Sequence, residues 1–468
     1  MGGNLDGDRD HVKGCASAVP RGSAGIGGTT REGPLCAGAP ALTATWRRLS
    51  IAFLRSCRKG CRVASQSADL HRAAILALAG TAGSLSRTEI ARRLELSPAS
   101  VTQLTKDLIE RGLLAELAAA PSRGGRPAQL LGLAGTARHA IGVKVTPDHL
   151  AIADVQLDGT VRRVETADFD PGSADALGAL ADAILSFAGD CEGGTASLLG
   201  VGLGVPGGVS DRWEGVVNAD ILGWNGLPLG RRLRSMLGLP VLVDNDVNAL
   251  AVAECLYGRG RTRRNLVIIT IGVGIGAAIV SGGSVYRGAH GDAGELGHTP
   301  FELDGPRCVC GNNGCLEAVI GDRALVAQAR RDGILSADQG IAALHDAAAA
   351  GDAGASAILR EAGRKLGRSV ASLLNVIDPE SVVVYGEGIA GWRYWEPGFE
   401  PALRAHLPRS RNDVPVEVDR WDDRNWTQGA AALVMSVPLD SAEAGGDQGR
   451  AVRARLVDAR GAGAVASE

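Results

Sequence analysis

Residues 291–317 read GDAGELGHTPFELDGPRCVCGNNGCLE, and within this stretch one histidine and three cysteines, His298, Cys308, Cys310 and Cys315, fall inside eighteen residues. One imidazole nitrogen and three thiolates form the donor set of a closed, tetrahedral, structural zinc site, and Gly311 and Gly314 let so short a segment fold back on itself. The same residues also fit buried cysteines beside an unrelated histidine, or a disulfide pair. The metal reading is preferred, because nothing else in the chain points to an oxidising compartment and such clusters in intracellular chains are usually metal sites. Two acids, Glu295 and Glu317, bracket the cluster. A metal that freezes the loop also fixes both carboxylates.

The pattern Glu-x-Gly-His, then Cys-x-Cys-Gly-x-x-Gly-Cys-x-Glu, fixes nine positions over twenty-three residues, and it resembles the signature of the ROK family of repressors, open reading frames and kinases. The resemblance implies that His298, Cys308, Cys310 and Cys315 bind zinc, and that Glu295, His298 and Glu317 touch a sugar. It also implies the fold. The expected body is α/β, a two-lobed actin-like ATPase (ribonuclease H-like) fold over residues 139–435, with a small lobe at about 139–259, a large lobe at about 264–423 and a last helix at about 427–435 returning to the small lobe. The sequence pattern agrees with α/β: short β-branched runs such as 242–244 and 266–271 alternate with Ala- and Leu-rich stretches such as 174–188 and 355–376.

Asp244-Asn245-Asp246 follows a short apolar run and leads into an Ala-rich helix, so its polar residues stand at a strand end, where cleft ligands bind. By resemblance, Asn245 and Asp246 bind sugar hydroxyls, and Asp246 is the general base where a kinase reaction is retained. The alternative is a helix-capping cluster. Gly204-Val205-Pro206-Gly207 and Gly223-Trp224 resemble further sugar-side elements. The nucleotide half departs from the family pattern. Where kinases carry Asp-x-Gly-Gly-Thr, this chain has Lys144, Thr146 and Pro147; a lysine cannot ligate magnesium and a proline removes an amide donor. The loop Gly272-Val273-Gly274 keeps its glycines and has Val273 where a threonine is usual. Gly386-Glu387-Gly388 resembles the adenosine-side turn.

Ahead of the body, residues 67–135 read as an all-α-rich winged helix-turn-helix. Ser86 precedes RTEIARRL and Ser97 precedes PASVTQLTKDLIERGLL, both good N-caps, and Pro98 suits a first helical turn. The later helix is the one such an arrangement places in a major groove, with Ser97, Ser100, Thr102, Gln103 and Lys106 toward bases and phosphates. Two short strands around a Gly-Gly-Arg-Pro tip then make a wing, and Arg123 and Arg126 on it are placed to meet the backbone or the minor groove. The segment resembles the head of ROK repressors. Its alternative is a small helical bundle used only for packing.

Residues 1–66 lack apolar periodicity and are read as a disordered extension. They contain a basic run, Arg47, Arg48, Arg55, Arg58, Lys59 and Arg62, with no acid inside it, which is either a DNA-contacting arm or part of that extension. Cys15, Cys36, Cys57 and Cys61 have no histidine partner at metal spacing and are assigned nothing. Residues 436–468 are expected to be a disordered tail. A net charge of −3 excludes a chain coated with phosphate-binding charge, so nucleic-acid contact must come from a local patch. With no apolar run long enough for a membrane span and no secretory leader, a cytoplasmic protein with reduced thiols is expected.

The reading that unites these features is a sugar-responsive, DNA-binding transcription regulator, a repressor, with structural zinc and a degraded nucleotide site for which ATP and magnesium are not expected. Its partners are operator DNA and a small sugar, and a homodimer or higher homo-oligomer is the minimum for a palindromic site. The competing reading is an ATP-dependent sugar kinase that retains Asp246 as base. A zinc hydrolase is disfavoured, because three thiolates and an imidazole leave no open coordination position. A sugar-blind regulator is the fourth possibility.

Overall fold

The computed structural model describes residues 62–117, 128–134, 138–419, 422–438 and 446–457. The wing tip with Arg123 and Arg126 lies outside the described residues, as do Cys15, Cys36, Cys57, Cys61 and the basic run apart from Arg62. Helix α1 (Arg62–Ala82) opens the described chain, so part of the stretch assigned to the extension is helical. Then come β1 (Leu85–Ser86), α2 (Arg87–Leu94) and α3 (Pro98–Glu110). Ser86 and Ser97 cap the two helices, their side chains accepting from the backbone amides of Glu89 and Ser100, and Pro98 sits in the first turn of α3. Strands β2 (Leu114–Glu116) and β3 (Leu130–Leu133) pair antiparallel, and β1 adds to the other edge of β3. Three helices and a three-stranded wing enclose Ile75, Leu76, Ile90, Val101 and Leu108.

The body contains two five-stranded sheets of one topology. The first comprises β4 (His139–Val145), β5 (His149–Gln156) and β6 (Val161–Asp168) as an antiparallel meander. After α4 (Ala176–Gly189) and the short α5 (Gly194–Ser197), β7 (Leu198–Val205) lies parallel to β4. A ribbon of β8 (Gly208–Asp211), β9 (Val216–Ala219) and β10 (Trp224–Pro228) follows, then α6 (Leu229–Leu237), and β11 (Val241–Asn245) parallel to β7, leading directly into α7 (Asp246–Leu256). The second sheet repeats this plan. It has a meander of β12 (Leu266–Ile271), β13 (Ile275–Ser281) and β14 (Ser284–Tyr286), and four helices, α8 (Leu316–Ile320), α9 (Asp322–Arg331), α10 (Ile341–Ala349) and α11 (Ala353–Ile377). Parallel strand β15 (Ser381–Tyr385), helix α12 (Trp392–Ala405) and parallel strand β16 (Val416–Val418) complete it. The orders β6-β5-β4-β7-β11 and β14-β13-β12-β15-β16 correspond strand for strand. Strands β4, β7 and β12 are buried throughout, which is why β7 and β12 read as near-continuous apolar runs rather than alternating ones, while β4 carries His139 and Lys144 within that burial.

Helix α13 (Asp423–Ser436), begun by an Asp422–Asn425 capping box, returns to the first sheet. It lies so close to β4 and β7 that a β-carbon at Gly142 would overlap the Thr427 carbonyl, and one at Gly202 the Ala430 carbonyl. The tail departs from the sequence expectation. Residues 447–457 form helix α14 (Asp447–Val457), with Val452 and Leu456 buried in one cluster with Ile75 and Leu76 of α1 and with Leu199. Arg455 donates to the carbonyls of Leu198 (2.6 Å) and Thr195 (2.5 Å). Removing the Leu456 side chain leaves a cavity where head, body and tail meet. Leu456→Ala is therefore expected to cost about 2–4 kcal/mol, read as a lower denaturant midpoint of the full chain, whereas a dangling tail would show no change.

Candidate functional site

Strand β11 ends at Asp244-Asn245, and the chain turns at once into α7. Asn245 is the N-cap: its Oδ1 accepts from the amides of Val247 (2.9 Å) and Asn248 (3.1 Å), and its Nδ2 donates to the Gly207 carbonyl (3.1 Å). Capping thus occupies the oxygen of Asn245 and leaves part of its amide group for a ligand. Asp244 is held beneath, accepting from Arg287 Nε at 2.7 Å. Asp246, nearly buried, accepts from the Val247 amide on one oxygen (2.8 Å) and from the Lys144 ammonium on the other. Lys144 Nζ also stands 4.1 Å from the ring centroid of Trp426, in the first turn of α13.

The cysteine-rich segment folds onto the edge of this cleft. Cys308, Cys310, Cys315 and His298 bring one donor atom each to within 4.8 Å of all the others. Cys310 Sγ is 3.7 Å from Cys315 Sγ, and Cys308 Sγ is 3.4 Å from His298 Nδ1. A disulfide needs about 2.05 Å between sulfurs, so these cysteines are not paired. With Zn–S near 2.3 Å and Zn–N near 2.0–2.1 Å, a tetrahedral shell spaces its donors about 3.5–3.8 Å apart. The residues present fit such a cation. Gly314 makes the fold-back possible: its φ is 70°, and a β-carbon there would overlap the Glu302 carbonyl.

With Nδ1 toward the sulfurs, the far nitrogen of His298 lies 3.7 Å from Glu295 Oε2. Although 44% of the Glu295 side chain faces solvent, packing around its carboxyl raises the pKa; His298 pulls it down, and Asp292, Glu317 and Asp246 push it up further. Asp292, Glu317 and Asp246 thus stand near enough to Glu295 for their charges to act on it. Glu317, in the first turn of α8, accepts from the Ile275 amide at 3.2 Å.

The nucleotide-side elements hold few open donors. In the β4–β5 turn, Thr146 Oγ1 donates within a knot formed by Asp148 Oδ1 (2.8 Å) and the His149 carbonyl (2.7 Å), and it accepts from the His149 amide (3.0 Å). Across the cleft, the loop Gly272-Val273-Gly274 is flanked by carboxylates. Glu387 lies against Gly272 and Glu317 against Gly274, each close enough that a side chain on the glycine would press on it. The Asp322 amide donates to the Gly272 carbonyl (3.1 Å), and burial together with Glu387 pushes the Asp322 carboxyl up to about 6. Trp426, Asp292 and the position of Glu387 were not singled out from sequence. Glu387 left a signal, a charge between two glycines; Trp426 left none.

In the head, Val101, Leu104, Thr105 and Leu108 form the inner stripe of α3, and Ser97, Ser100, Thr102, Gln103 and Lys106 are exposed on its other side. Ser97 and Ser100 are linked through their hydroxyls (2.8 Å), Thr102 Oγ1 donates back to the Pro98 carbonyl (2.8 Å), and Lys106 reaches Glu110 only at 3.8 Å. Gln103 and Lys106 are thus the long polar side chains of this face. On α2, Arg92 and Arg93 both grip Glu89, whose carboxyl they lower to about 2. No described helix is long and apolar enough to cross a membrane.

Residues 69–124 match the model of the MarR family, and residues 140–437 match that of the ROK family. The chain is 30% identical over 374 residues to a putative xylose repressor of Caldicellulosiruptor sp., covering 75% of this chain and 92% of the relative. It is 30% identical over 384 residues to the DNA-binding transcriptional dual regulator NagC of Escherichia coli, covering 80% and 94%. Among solved structures, a ROK family transcriptional regulator described as a homologue of the Escherichia coli MLC protein superposes with a TM-score of 0.68 at 29% identity, over 84% of this chain and 98% of that one. A ROK family glucokinase from Streptomyces griseus, in complex with glucose and AMPPNP, aligns with a TM-score of 0.55 at 27% identity, over 63% of this chain and 98% of that one. By the match of its body, more than half its length, the chain belongs to the ROK family.

Proposed function

We propose that this chain is a sugar-responsive transcription regulator, a repressor, that binds operator DNA through its winged helix-turn-helix and whose DNA affinity is set by a sugar in the cleft. The observation that carries the reading is the apolar cluster shared by the head and the small lobe: Ile75, Leu76 and Leu131 of the head pack in one core with Val252, Ala253 and Leu256 of α7 and with residues of α13. Helix α7 begins at Asp246 and ends in that core, so a ligand that moves its first turn also acts on the seat of the head. Sugar shifts the population of lobe arrangements only to the extent that it binds one of them better. In a dimer, the arrangement sets the spacing of two recognition helices.

In this reading Asn245, Asp246, Glu295, His298 and Glu317 contact the sugar. His298, Cys308, Cys310 and Cys315 hold a zinc ion, which supplies folding energy and fixes the loop that carries Glu295. Ser97, Ser100, Thr102, Gln103 and Lys106 face DNA, together with Arg123 and Arg126 of the wing. Phosphoryl transfer is disfavoured, because Lys144 occupies Asp246, the Thr146 turn is closed on itself and acids flank the glycine loop. The phosphates of ATP would have to overcome the negative charge of those acids.

The test is a thermal-shift screen of zinc-loaded protein against sugars, with Mg-ATP as control, followed by DNA binding with and without the sugar that responds. Sugar is expected to raise the melting temperature and to change DNA affinity, and Mg-ATP to do neither. Turnover of about 1 per second with Mg-ATP would instead establish a kinase. Glu295→Gln is expected to weaken sugar binding about tenfold or more while DNA binding without sugar stays within about twofold, since the residue lies in the cleft and away from α3. Cys310→Ser is expected to reduce zinc, measured by mass spectrometry, from about one ion per chain to a small fraction, with a lower melting temperature. Lys106→Ala is expected to weaken binding to all DNA sequences alike and to reduce the slope of log affinity against log salt by about one; an unchanged slope removes Lys106 from the contacts.

A further inference from the structure

Three residues far from the cysteine-rich segment in sequence, His139 at the start of β4, Asp154 on β5 and Cys191 just after α4, are all buried. They bring one donor atom each to within 4.8 Å of the others. His139 Nδ1 is 2.5 Å from Asp154 Oδ1, and His139 Nε2 is 2.9 Å from the hydroxyl of Ser197, the last residue of α5. A hydroxyl has one hydrogen to give. That of Ser197 also lies 3.1 Å from the Glu192 carbonyl and 3.3 Å from the Gly194 carbonyl, both of which only accept. Its hydrogen therefore goes to a carbonyl, and its oxygen accepts from His139 Nε2–H. This is the reverse of a nucleophilic Ser-His-Asp arrangement, in which the serine gives its proton to the imidazole. The ring then turns Nδ1 to Asp154, with one proton held between the two atoms.

We propose that His139, Asp154 and Cys191 form a second metal site, separate from the cysteine-rich cluster, for a divalent cation of the zinc class. The ion takes the place of the proton between Nδ1 and Asp154 and of the thiol proton of Cys191, so two protons leave as one cation enters. Imidazole, carboxylate and thiolate are ligands that zinc accepts together, whereas magnesium and calcium take oxygen shells. One carboxylate and one thiolate balance the two positive charges, so the loaded site buries no net charge. Ser197, holding Nε2–H, fixes the tautomer that ligates through Nδ1. Donors of a zinc shell stand about 3.3–3.8 Å apart, so Nδ1 and Oδ1 part by about 1 Å and the sulfur closes by a similar amount. The sulfur is the ligand with room to adjust. It sits in the turn between α4 and α5, where Gly193 and Gly194 take φ of 79° and 51° and Asp190, Glu192 and Gly193 are exposed. Three protein ligands, against four in the cysteine-rich cluster, leave one position to water, and the Cys191 thiol must give up its hydrogen bond to the Phe187 carbonyl (3.3 Å). The second ion is accordingly the more readily lost. The turn that it braces also receives Arg138, which donates to the Ala196 carbonyl (3.3 Å), and Arg455 of α14.

Cobalt(II) chloride is the probe, because cobalt accepts zinc's ligands and shows a visible spectrum with a thiolate charge-transfer band. The zinc-loaded full chain, freed of loose metal by gel filtration, is titrated with cobalt. Absorbance, melting temperature and metal content by mass spectrometry are followed. The wild type is expected to bind about one cobalt per chain beyond its retained zinc, to show the thiolate band and to melt higher, and magnesium is expected to do none of these. Cys191→Val is expected to lose the band and, like His139→Gln and Asp154→Asn, to bind cobalt about tenfold or more weakly. Three results overturn the proposal: cobalt taken up only in exchange for zinc, a thiolate band that persists in Cys191→Val, or equal stabilisation of the wild type and Cys191→Val by cobalt. Should His139→Gln or Asp154→Asn fail to fold, Cys191→Val, which replaces one small buried side chain by another, decides by the same readings. None of these outcomes bears on the sugar-receptor reading, which rests on other residues.

Discussion

Much of this structure depends on how closely α13 can approach the first sheet. Gly142 of β4 and Gly202 of β7 leave no β-carbon between strand and helix, and Gly429 of α13 lies against the backbone of Leu250 in α7. Three small residues therefore lock helix, sheet and second helix at backbone distance, where any added methyl would force them apart. The consequence at the cleft end is that Trp426 comes within reach of Lys144. At the far end, Ala431 to Met435 and Val437 join the apolar cluster that seats the head. One contact thus runs from the Lys144–Trp426 end of α13 to the core that seats the head.

What could be seen in the sequence was local, and what was missed was long-range. The quartet of His298 and three cysteines falls within a short window, and the caps Ser86 and Ser97 stand next to the helices they begin, so spacing alone is informative. Lys144 was recognised as foreign to a phosphate loop, but its partners are 102 residues away at Asp246 and further still at Trp426. Nothing in the neighbourhood of Val143 or Val145 announces an ion pair. Helix α14 has only a weak apolar signal, Val452 and Leu456 among arginines, and its stability comes from packing on α1 and from Arg455 reaching two carbonyls. The D-N-D stretch admitted two readings, capping and ligand binding. The structure gives Asn245 the first by direct hydrogen bonds without removing its remaining amide capacity.

The lobes are joined by a network of charged and polar side chains. Arg259, just after α7, donates to Glu417 (2.8 Å) and Asp419 (3.0 Å) at the end of β16, and approaches Glu254 of α7 at 3.4 Å. Tyr385 at the end of β15 donates to the same Glu254, and Arg263 donates to Glu417 and to Ser381 (2.9 Å). Charged groups from both lobes are thus satisfied by one another at the crossing point, and a network of this sort has a few discrete arrangements rather than a continuum. Glu254 sits near the C-terminus of the helix whose first residue is Asp246. Any displacement of α7 at Asp246 must therefore be accommodated at Glu254, and beyond it at Leu256 in the core beneath the head. The helix is about 16 Å long at 1.5 Å per residue, so it ties Asp246 at one end to Leu256, in the core beneath the head, at the other.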